Sequence, residues 1–201
     1  MNKIMNLLVA IISVGLAFSA SAGDAAKGQA KTAVCAGCHG ADGNSALAIN
    51  PKLAGQGEKY LAKQLKDFKS GARQNATMAP MANMLSDEDI QNVAAYYASQ
   101  TVQHVAVADK YITLGQKLYR GGDADRDIPA CIACHEASGK GMSEAGFPAL
   151  GGQSPSYTKA QLEAFRSGSR DNDANNIMRD IVAKMSDSQI EALSFYLAGL
   201  H

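Results

Sequence analysis

The sequence lacks tryptophan, has few aromatic residues and carries no net charge. Its 19 basic and 19 acidic side chains cancel, so the chain offers no basic field for nucleic acid and we expect no nucleic-acid partner. Aromatic residues make up only 6% of the 201 residues. Domains of fewer than about 100 residues would then have thin cores if side chains alone filled them. We therefore expect a bound group to supply part of the apolar bulk.

Long hydrophobic runs are absent beyond the start of the chain. Residues 1–22 have the pattern of a cleaved secretory signal peptide, with a short basic start, a mostly apolar stretch from Ile4 to Phe18 and the small residues Ala20-Ser21-Ala22 at the cleavage site. An uncleaved membrane anchor is the alternative, but the apolar run is short for a membrane span. We expect export to the periplasm and a mature chain that begins at Gly23 or one residue earlier. Association with a membrane surface stays open.

Cysteine is scarce, and all four cysteines fall in two copies of one pentapeptide. Cys35-Ala36-Gly37-Cys38-His39 and Cys131-Ile132-Ala133-Cys134-His135 both read Cys-x-x-Cys-His, the attachment signal of a c-type haem. Two intervening residues let both thiols meet one edge of the porphyrin, while the following imidazole reaches the iron. We predict two covalent haems per chain, and an apoprotein that folds poorly without them. The predicted attachment residues are Cys35, Cys38, Cys131 and Cys134.

A zinc site or a dithiol redox pair is the alternative interpretation of Cys-x-x-Cys. Zinc would need four ligands at a matching spacing, and neither half of the chain contains a second thiol pair. No thioredoxin-like alternation of strand and helix surrounds the motifs. Covalent haem is the better prediction.

The chain repeats itself well beyond the two haem motifs. Pro51-Lys52-Leu53-Ala54-Gly55-Gln56 corresponds to Pro148-Ala149-Leu150-Gly151-Gly152-Gln153. We predict two tandem domains, at residues 23–103 and 109–201. The second copy has nine extra residues ahead of its haem motif, within Gly121 to Pro129, and their composition predicts a surface loop.

The periodicity of both copies is helical, so we predict an all-α fold. Lys59 to Phe68 and Thr158 to Phe165 each place apolar residues on one face of a helix. Shorter helices, roughly Ala25 to Val34 and Tyr111 to Tyr119, lead towards the haem motifs. The last helix of each copy opens with a capping box, Ser86-x-x-Asp89 and Ser186-x-x-Gln189.

His39 and His135 are the proximal iron ligands that the motif itself predicts. Each ligating histidine needs an acceptor for its other ring nitrogen, which fixes the tautomer. The backbone carbonyls of Pro51 and Pro148 occupy equivalent places downstream and are candidates. A turn in the chain is the alternative role of these prolines.

The second axial ligand must come from elsewhere in the chain. His104 and His201 have no counterpart in the opposite repeat, and we expect both to be solvated. Methionine is the usual partner in electron transfer. Met78 and Met178 each lie seven residues before the Leu/Met-Ser-Asp motif of their repeat, and we predict that they bind the irons from a loop or turn. Met81 stays open as a competitor of Met78.

These features together resemble the dihaem c4-type cytochromes. The resemblance covers essentially the whole mature chain and rests on the two haem motifs, the Pro-x-Leu-x-Gly-Gln-x-x-x-Tyr segments, the run Phe165-Arg166-Ser167-Gly168 and the ending Leu197-Ala198-Gly199-Leu200-His201. It implies two class I cytochrome c domains related by a pseudo-twofold axis, with haems facing each other across the interface. The implied axial pairs are His39 with Met78 and His135 with Met178.

The resemblance also implies a role. It indicates a periplasmic carrier that is reduced by the quinol-oxidising bc complex and feeds a terminal oxidase. We interpret the chain as an electron-transfer protein without catalytic residues, docking transiently with redox partners. A cytochrome subunit fixed in a dehydrogenase complex would share every motif and is the alternative. A dihaem peroxidase fits less well, because it needs an open iron and both repeats offer a methionine.

Overall fold

The computed structural model describes residues 23–201, and within them the only secondary structure beyond helices and turns is two isolated antiparallel bridges. The predicted signal peptide at residues 1–22 lies outside the described residues. Ten α-helices follow in chain order: α1 Ala25–Lys31, α2 Ala33–His39, α3 Glu58–Ser70, α4 Met78–Asn83, α5 Asp87–Ala98, α6 Asp109–Gly121, α7 Ile132–His135, α8 Pro155–Ser167, α9 Ile177–Val182 and α10 Asp187–Gly199. Three 3₁₀ turns join the later helices: Ala124–Arg126, Ser143–Ala145 and Ala174–Asn176. The predicted all-α class is confirmed.

The first and last helices of each domain cross at a glycine. A Cβ added to Gly28 in α1 would lie 1.9 Å from the carbonyl oxygen of Asn92 in α5. A Cβ added to Gly115 in α6 would lie 2.3 Å from the Cβ of Tyr196 in α10. Any larger residue would push these helices apart, so the two equivalent glycines allow the same close crossing in both domains.

Helices α5 and α10 begin with the predicted capping boxes. The Ser86 hydroxyl accepts from the Asp89 N–H at 3.1 Å, and the Asp89 carboxylate accepts from the Ser86 N–H at 3.1 Å. Ser186 and Gln189 repeat this exchange at 3.2 and 2.9 Å. Each box satisfies amide groups that a helix start would otherwise leave without partners.

Each domain buries one tyrosine beside the first cysteine of its haem motif, but the two tyrosines come from different helices. Tyr97 in α5 is 1% exposed and lies beside Cys35. Tyr119 in α6 is 0% exposed and lies beside Cys131. In the repeat register, Leu197 stands in place of Tyr97 and Thr32 in place of Tyr119. Each domain therefore buries an aromatic ring beside its first haem cysteine, and the two domains supply that ring from different helices.

The first helix is shorter than predicted, because α1 ends at Lys31 and a separate helix, α2, carries the first haem motif. Both the amide and the hydroxyl of Thr32 donate to the Gln29 carbonyl, at 3.2 and 2.8 Å. These bonds tighten the turn at Thr32 and interrupt the regular ladder of the helix. Helix α6 extends beyond the predicted range at both ends.

The two methionine segments form short helices rather than the predicted loops. The side-chain oxygen of Asn75 accepts from the amides of Thr77 and Met78 at 3.0 and 2.8 Å, so it caps the start of α4. Met178 lies in the first turn of α9. Six-residue helices are too short to show the periodicity from which longer helices are predicted.

The nine-residue insertion is only partly the surface loop that its composition predicts. Asp123 and Ile128 pair through two backbone hydrogen bonds of 2.9 Å, and the exposed tip lies between them. Ile128 is 4% exposed and belongs to the core of the second domain. The insertion therefore adds an apolar side chain to the second core as well as a loop to the surface.

The junction between the domains contacts both of them. The Gln103 amide donates to Asn44 Oδ1 of the first domain at 2.9 Å. The Val105 amide donates to the Ala198 carbonyl of the second domain at 3.1 Å, close to the end of α10.

Across residues 23–201, no helix combines the length and the hydrophobicity that crossing a membrane requires.

Candidate haem-binding sites

Both motif histidines are buried and make the same hydrogen bond. His39 is 6% exposed and its Nδ1 lies 2.9 Å from the Pro51 carbonyl oxygen; His135 is 7% exposed and its Nδ1 lies 2.9 Å from that of Pro148. A carbonyl oxygen can only accept, so each Nδ1 carries the proton and donates it. Each Nε2 then keeps a free lone pair for a metal. The predicted role of the two proline carbonyls is confirmed.

The electrostatic surroundings suit ligation rather than dithiol chemistry. Burial lowers the pKa of His39 and His135, and the bonds to the proline carbonyls oppose this effect only in part, so both rings are neutral at pH 7. Burial raises the pKa of the Cys35 thiol, and it raises that of Cys131 to about 11. A reactive dithiol requires the opposite shift. The dithiol interpretation is therefore disfavoured.

A cavity of about 470 Å³ opens beside His135 in the second domain. Helices α8 and α9 and the haem motif supply part of its wall, which includes Cys131, Cys134, Leu162, Phe165, Met178 and Ile181. The complete set predicted for the second haem, two cysteines, a histidine and a methionine, thus lines a single cavity. Its apolar side chains match the hydrophobic body of a porphyrin.

The burial of the methionines follows the repeat register. Met78 and Met178 are both half-buried, whereas Met185 is 6% exposed in the second core. Met81 and Met84 are 37% and 59% exposed. Met81 therefore faces solvent more than Met78, with which it competes as the ligand of the first iron.

The interdomain end of the cavity is cationic. Arg170 is 8% exposed and lines the cavity, and its guanidinium donates to Tyr60 Oη and to Gln64 Oε1, both at 3.1 Å and both in the first domain. It also donates to Gln161 Oε1 of its own domain at 3.0 Å. Arg170 therefore connects the second cavity to the other half of the molecule.

Arg73 makes the corresponding bonds from the first domain. Its guanidinium donates to Gln64 Oε1 at 2.8 Å and crosses the interface to Tyr157 Oη at 3.0 Å and Gln161 Oε1 at 2.7 Å. Both arginines thus share the same two glutamine oxygens. Each arginine also stacks over a phenylalanine of its own domain, at 4.7 Å from the Phe68 centroid and 4.3 Å from that of Phe165.

These two guanidinium groups favour a negative group at the interface. Every oxygen to which they donate is neutral, so the two positive charges have no carboxylate acceptor. Burial alone would raise the pKa of Tyr60, but the charges of Arg170 and Arg73 lower it overall. A haem has an apolar ring and two propionates, and the cavity combines an apolar wall with cations at one end. The residues present therefore fit the group.

The sequence-based predictions do not include the two arginines, although a signal for them exists. Arg73 and Arg170 both lie five residues after the equivalent phenylalanines of the repeat. One other prediction is confirmed: His104 and His201 are exposed, and they pack against each other with ring centroids 5.5 Å apart. Within residues 23–201 no group of three or more His, Cys, Asp or Glu side chains is arranged to bind a metal ion.

Two helical domains, each with a Cys-x-x-Cys-His motif, a buried histidine oriented by a proline carbonyl and a half-buried methionine, define a dihaem c-type cytochrome. The sequence pattern of the cytochrome c family accordingly matches this chain twice, at residues 25–101 and 112–201.

More specific similarities narrow this class. The chain is 50% identical over 204 residues to cytochrome c4 of Pseudomonas aeruginosa, with 100% of both chains covered. It is 40% identical over 203 residues to the thiosulfate dehydrogenase electron acceptor of Stutzerimonas stutzeri, covering 96% of this chain and 94% of the relative. The crystal structure of reduced cytochrome c4 from Pseudomonas stutzeri superposes with a TM-score of 0.87 at 48% identity, covering 90% of this chain and 100% of that one.

The chain belongs to the dihaem cytochrome c4 family. It is therefore an electron-transfer protein with two covalently bound haem c groups, built as two tandem class I cytochrome c domains.

Proposed function

We propose that Cys35 and Cys38 hold the first haem and that His39 and Met78 are its axial ligands. Cys131 and Cys134 hold the second haem, with His135 and Met178 as its axial ligands. The second set is supported by its position around one cavity, and the first by the repeat register and by the matching bond from His39 to a proline carbonyl. The haems supply iron that accepts and releases one electron each.

The protein residues orient and shield these irons. The proline carbonyls hold each imidazole in one tautomer, and the apolar side chains exclude water, which lowers the reorganisation that accompanies a change of charge. We assign the domains to residues 23–103 and 109–201, and residues 1–22 to a signal peptide that directs the chain to the periplasm and is removed there.

The physiological role that fits best is transfer of electrons from the quinol-oxidising bc complex towards a terminal oxidase. The observation that carries the electron-carrier part of this role is the duplicated ligand environment: His39 and His135 are 6% and 7% exposed and make the same 2.9 Å bond. The donor and the acceptor are taken from the family resemblance. Two closed irons can pass electrons but cannot bind a substrate. A peroxidase would require one of the two sites to differ.

A second role is supported by a relative of different function. The thiosulfate dehydrogenase electron acceptor of Stutzerimonas stutzeri aligns with nearly the whole chain at 40% identity. A dehydrogenase could therefore be the electron donor, either as a transient partner or with this chain as its fixed subunit. The two roles differ in the donor and share the chemistry at the irons.

The first test is the visible spectrum of the purified, reduced holoprotein before and after addition of carbon monoxide. We expect two low-spin haems per chain and an unchanged spectrum, because carbon monoxide binds ferrous haem only at an open or easily vacated position. A spectral shift at one haem would contradict an electron carrier in which both irons have two axial ligands, and would support a dihaem peroxidase.

The donor is tested by reduction kinetics. Oxidised protein is mixed with the bc complex and quinol, or with thiosulfate dehydrogenase and thiosulfate. We expect faster reduction by the bc complex, followed by reoxidation by the terminal oxidase. Faster reduction by the dehydrogenase, with copurification of the two proteins, would support the alternative role.

A further inference from the structure

Two buried glutamines each form a pair of hydrogen bonds with the opposite domain. The Lys52 amide of the first domain donates to Gln153 Oε1 of the second at 2.9 Å, and Gln153 Nε2 donates back to the Lys52 carbonyl at 2.9 Å. Gln56 repeats this exchange with Ala149, at 2.7 Å from the Ala149 amide and 2.9 Å to its carbonyl. The two pairs are equivalent under the repeat register.

The orientation of both glutamine amides is well defined. Gln56 is 7% and Gln153 is 9% exposed. Each Oε1 also accepts from the backbone amide of the next residue, Gly57 or Ser154, at 2.9 Å. A flipped side chain would direct its NH₂ group at two N–H donors. Only the observed orientation satisfies every bond.

These bonds end on the peptide groups that hold the two histidines. The Pro51 carbonyl accepts from His39, and the Lys52 N–H that donates to Gln153 belongs to the same planar peptide bond. In the second domain the peptide bond between Pro148 and Ala149 is used in the same way. Each histidine is therefore linked through one peptide group to a glutamine of the other domain.

We propose that Gln56 and Gln153 are positioning residues that tune the reduction potential of the haem in the opposite domain. This inference rests on the proposed assignment of His39 and His135 as iron ligands. A peptide N–H that donates to a glutamine oxygen polarises its own amide, so the carbonyl of that amide becomes a stronger acceptor. A stronger acceptor draws the Nδ1 proton and makes the imidazole more basic, which favours ferric iron. Each domain thus lowers the potential of the other domain's haem.

The test replaces one glutamine at a time in the holoprotein. Gln153→Leu removes the acceptor of the Lys52 amide, and the Pro51 carbonyl becomes a weaker acceptor for His39. We expect the equilibrium constant for reduction of the first haem to rise by about threefold or more, which corresponds to roughly 28 mV for one electron. The second haem should change less. Gln56→Leu should give the mirror-image result, raising the potential of the second haem.

The sign distinguishes this effect from loosening of the interface. Water admitted by a loosened interface would stabilise the more highly charged ferric form, so the potential would fall. The control is Ser154→Ala, which removes the hydrogen bond from Ser154 Oγ to the Ala48 carbonyl across the same interface and leaves the peptide group intact. We expect both potentials to be unchanged in this variant.

A second measurement reports directly on the histidines. In the reduced, diamagnetic protein, the NMR resonance of the His39 Nδ1 proton should move upfield in Gln153→Leu, because its hydrogen bond weakens. The His135 resonance should move in Gln56→Leu. Shifts confined to the haem of the mutated domain, or a fall in potential, would overturn the inference.

Two reference variants separate this inference from the ligand assignment. Met78→His and Met178→His should each lower the potential of one haem, because methionine ligation raises it relative to histidine, and they identify which potential belongs to which domain. If these variants leave the potentials unchanged, the ligand assignment fails. If they shift as expected and the glutamine variants do not produce the crossed pattern, only the glutamine inference fails.

Discussion

At the scale of single residues, burial discriminates between side chains of the same type. The chain has eight methionines, and those near the predicted sites range from the buried Met185 to the 59% exposed Met84. The haem motif could be predicted completely from the sequence, because its spacing is fixed by the porphyrin. The methionine ligands are predicted less directly, because their assignment depends only on the register of the repeat.

The ligand of the first iron can be tested at this scale. We expect Met78→Leu to abolish low-spin His–Met ligation at one haem, with loss of the sulfur-to-iron charge-transfer band of that haem in the oxidised protein. Met81→Leu is the matched control, since it removes a thioether three residues away from a side chain that is 37% exposed. Loss of the band in Met81→Leu alone would show that Met81 is the ligand.

At the scale of elements, the two capping boxes differ in one property. Asp89 closes the box of α5 with a carboxylate, whereas Gln189 closes that of α10 with a neutral amide. Hydrogen bonds from Ser86, and then from Lys31, lower the pKa of Asp89 to about 2. Only the first box is therefore able to titrate.

This difference predicts acid sensitivity of α5. The pKa of Asp89 lies below its ordinary value of about 3.9, so its contribution to stability is complete above that value and is lost as the pH falls towards 2. We expect wild-type protein to be more stable than Asp89→Asn at pH 6, and this difference to shrink between pH 4 and pH 2. Denaturant unfolding at each pH measures it.

The second capping box provides the control for that measurement. Ser186→Ala should destabilise the protein by about 1 kcal/mol at every pH, because it removes the N-cap hydroxyl, which bonds only to the Gln189 amide and the Ser188 hydroxyl. A stability difference for Asp89→Asn that stayed constant down to pH 2 would contradict the role of its ionised carboxylate.

The long helices and the capping boxes could be predicted because their signals are local. Helix α4 could not, because its six residues depend on a cap from Asn75 that periodicity does not reveal. The division between α1 and α2 likewise depends on the Thr32 hydroxyl, whose bond to Gln29 competes with the helix. Hydrogen bonds of this kind, from a side chain to the backbone, determine where short helices begin and end. Hydrophobic periodicity in the sequence does not reveal these bonds.

At the scale of the whole molecule, the arginine network joins the two domains. The repeat predicts two similar halves, but it does not indicate which side chains cross between them. Arg73 and Arg170 can be matched by register, yet their shared acceptors, Gln64 and Gln161, become evident only when the domains are docked.

Removal of Arg170 should uncouple the domains. Arg170→Leu removes the guanidinium that donates to Tyr60 Oη, together with one of three donors to Gln64 Oε1, and an unsatisfied buried polar group costs about 1–3 kcal/mol. We expect the free energy of unfolding to fall by about 2 kcal/mol or more, and a single unfolding transition to separate into two. Calorimetry of the holoprotein measures both effects.

A surface variant serves as the comparison. Lys159 and Glu163 form an exposed pair at 4.0 Å in α8, so Lys159→Leu should change the stability by less than about 1 kcal/mol and preserve the single transition. If Arg170→Leu behaved in the same way, the arginine network would not be what couples the domains.

The exchange of tyrosines between helices limits how freely the halves can be recombined. A chimera in which the second domain receives α1 and Thr32 in place of α6 would keep Leu197 and lose Tyr119, so its core would contain a void of aromatic size. The reciprocal chimera would force Tyr119 and Tyr97 into one space. The two domains share a fold, but their helices cannot be exchanged. The first and last helices of each domain pack well only against each other.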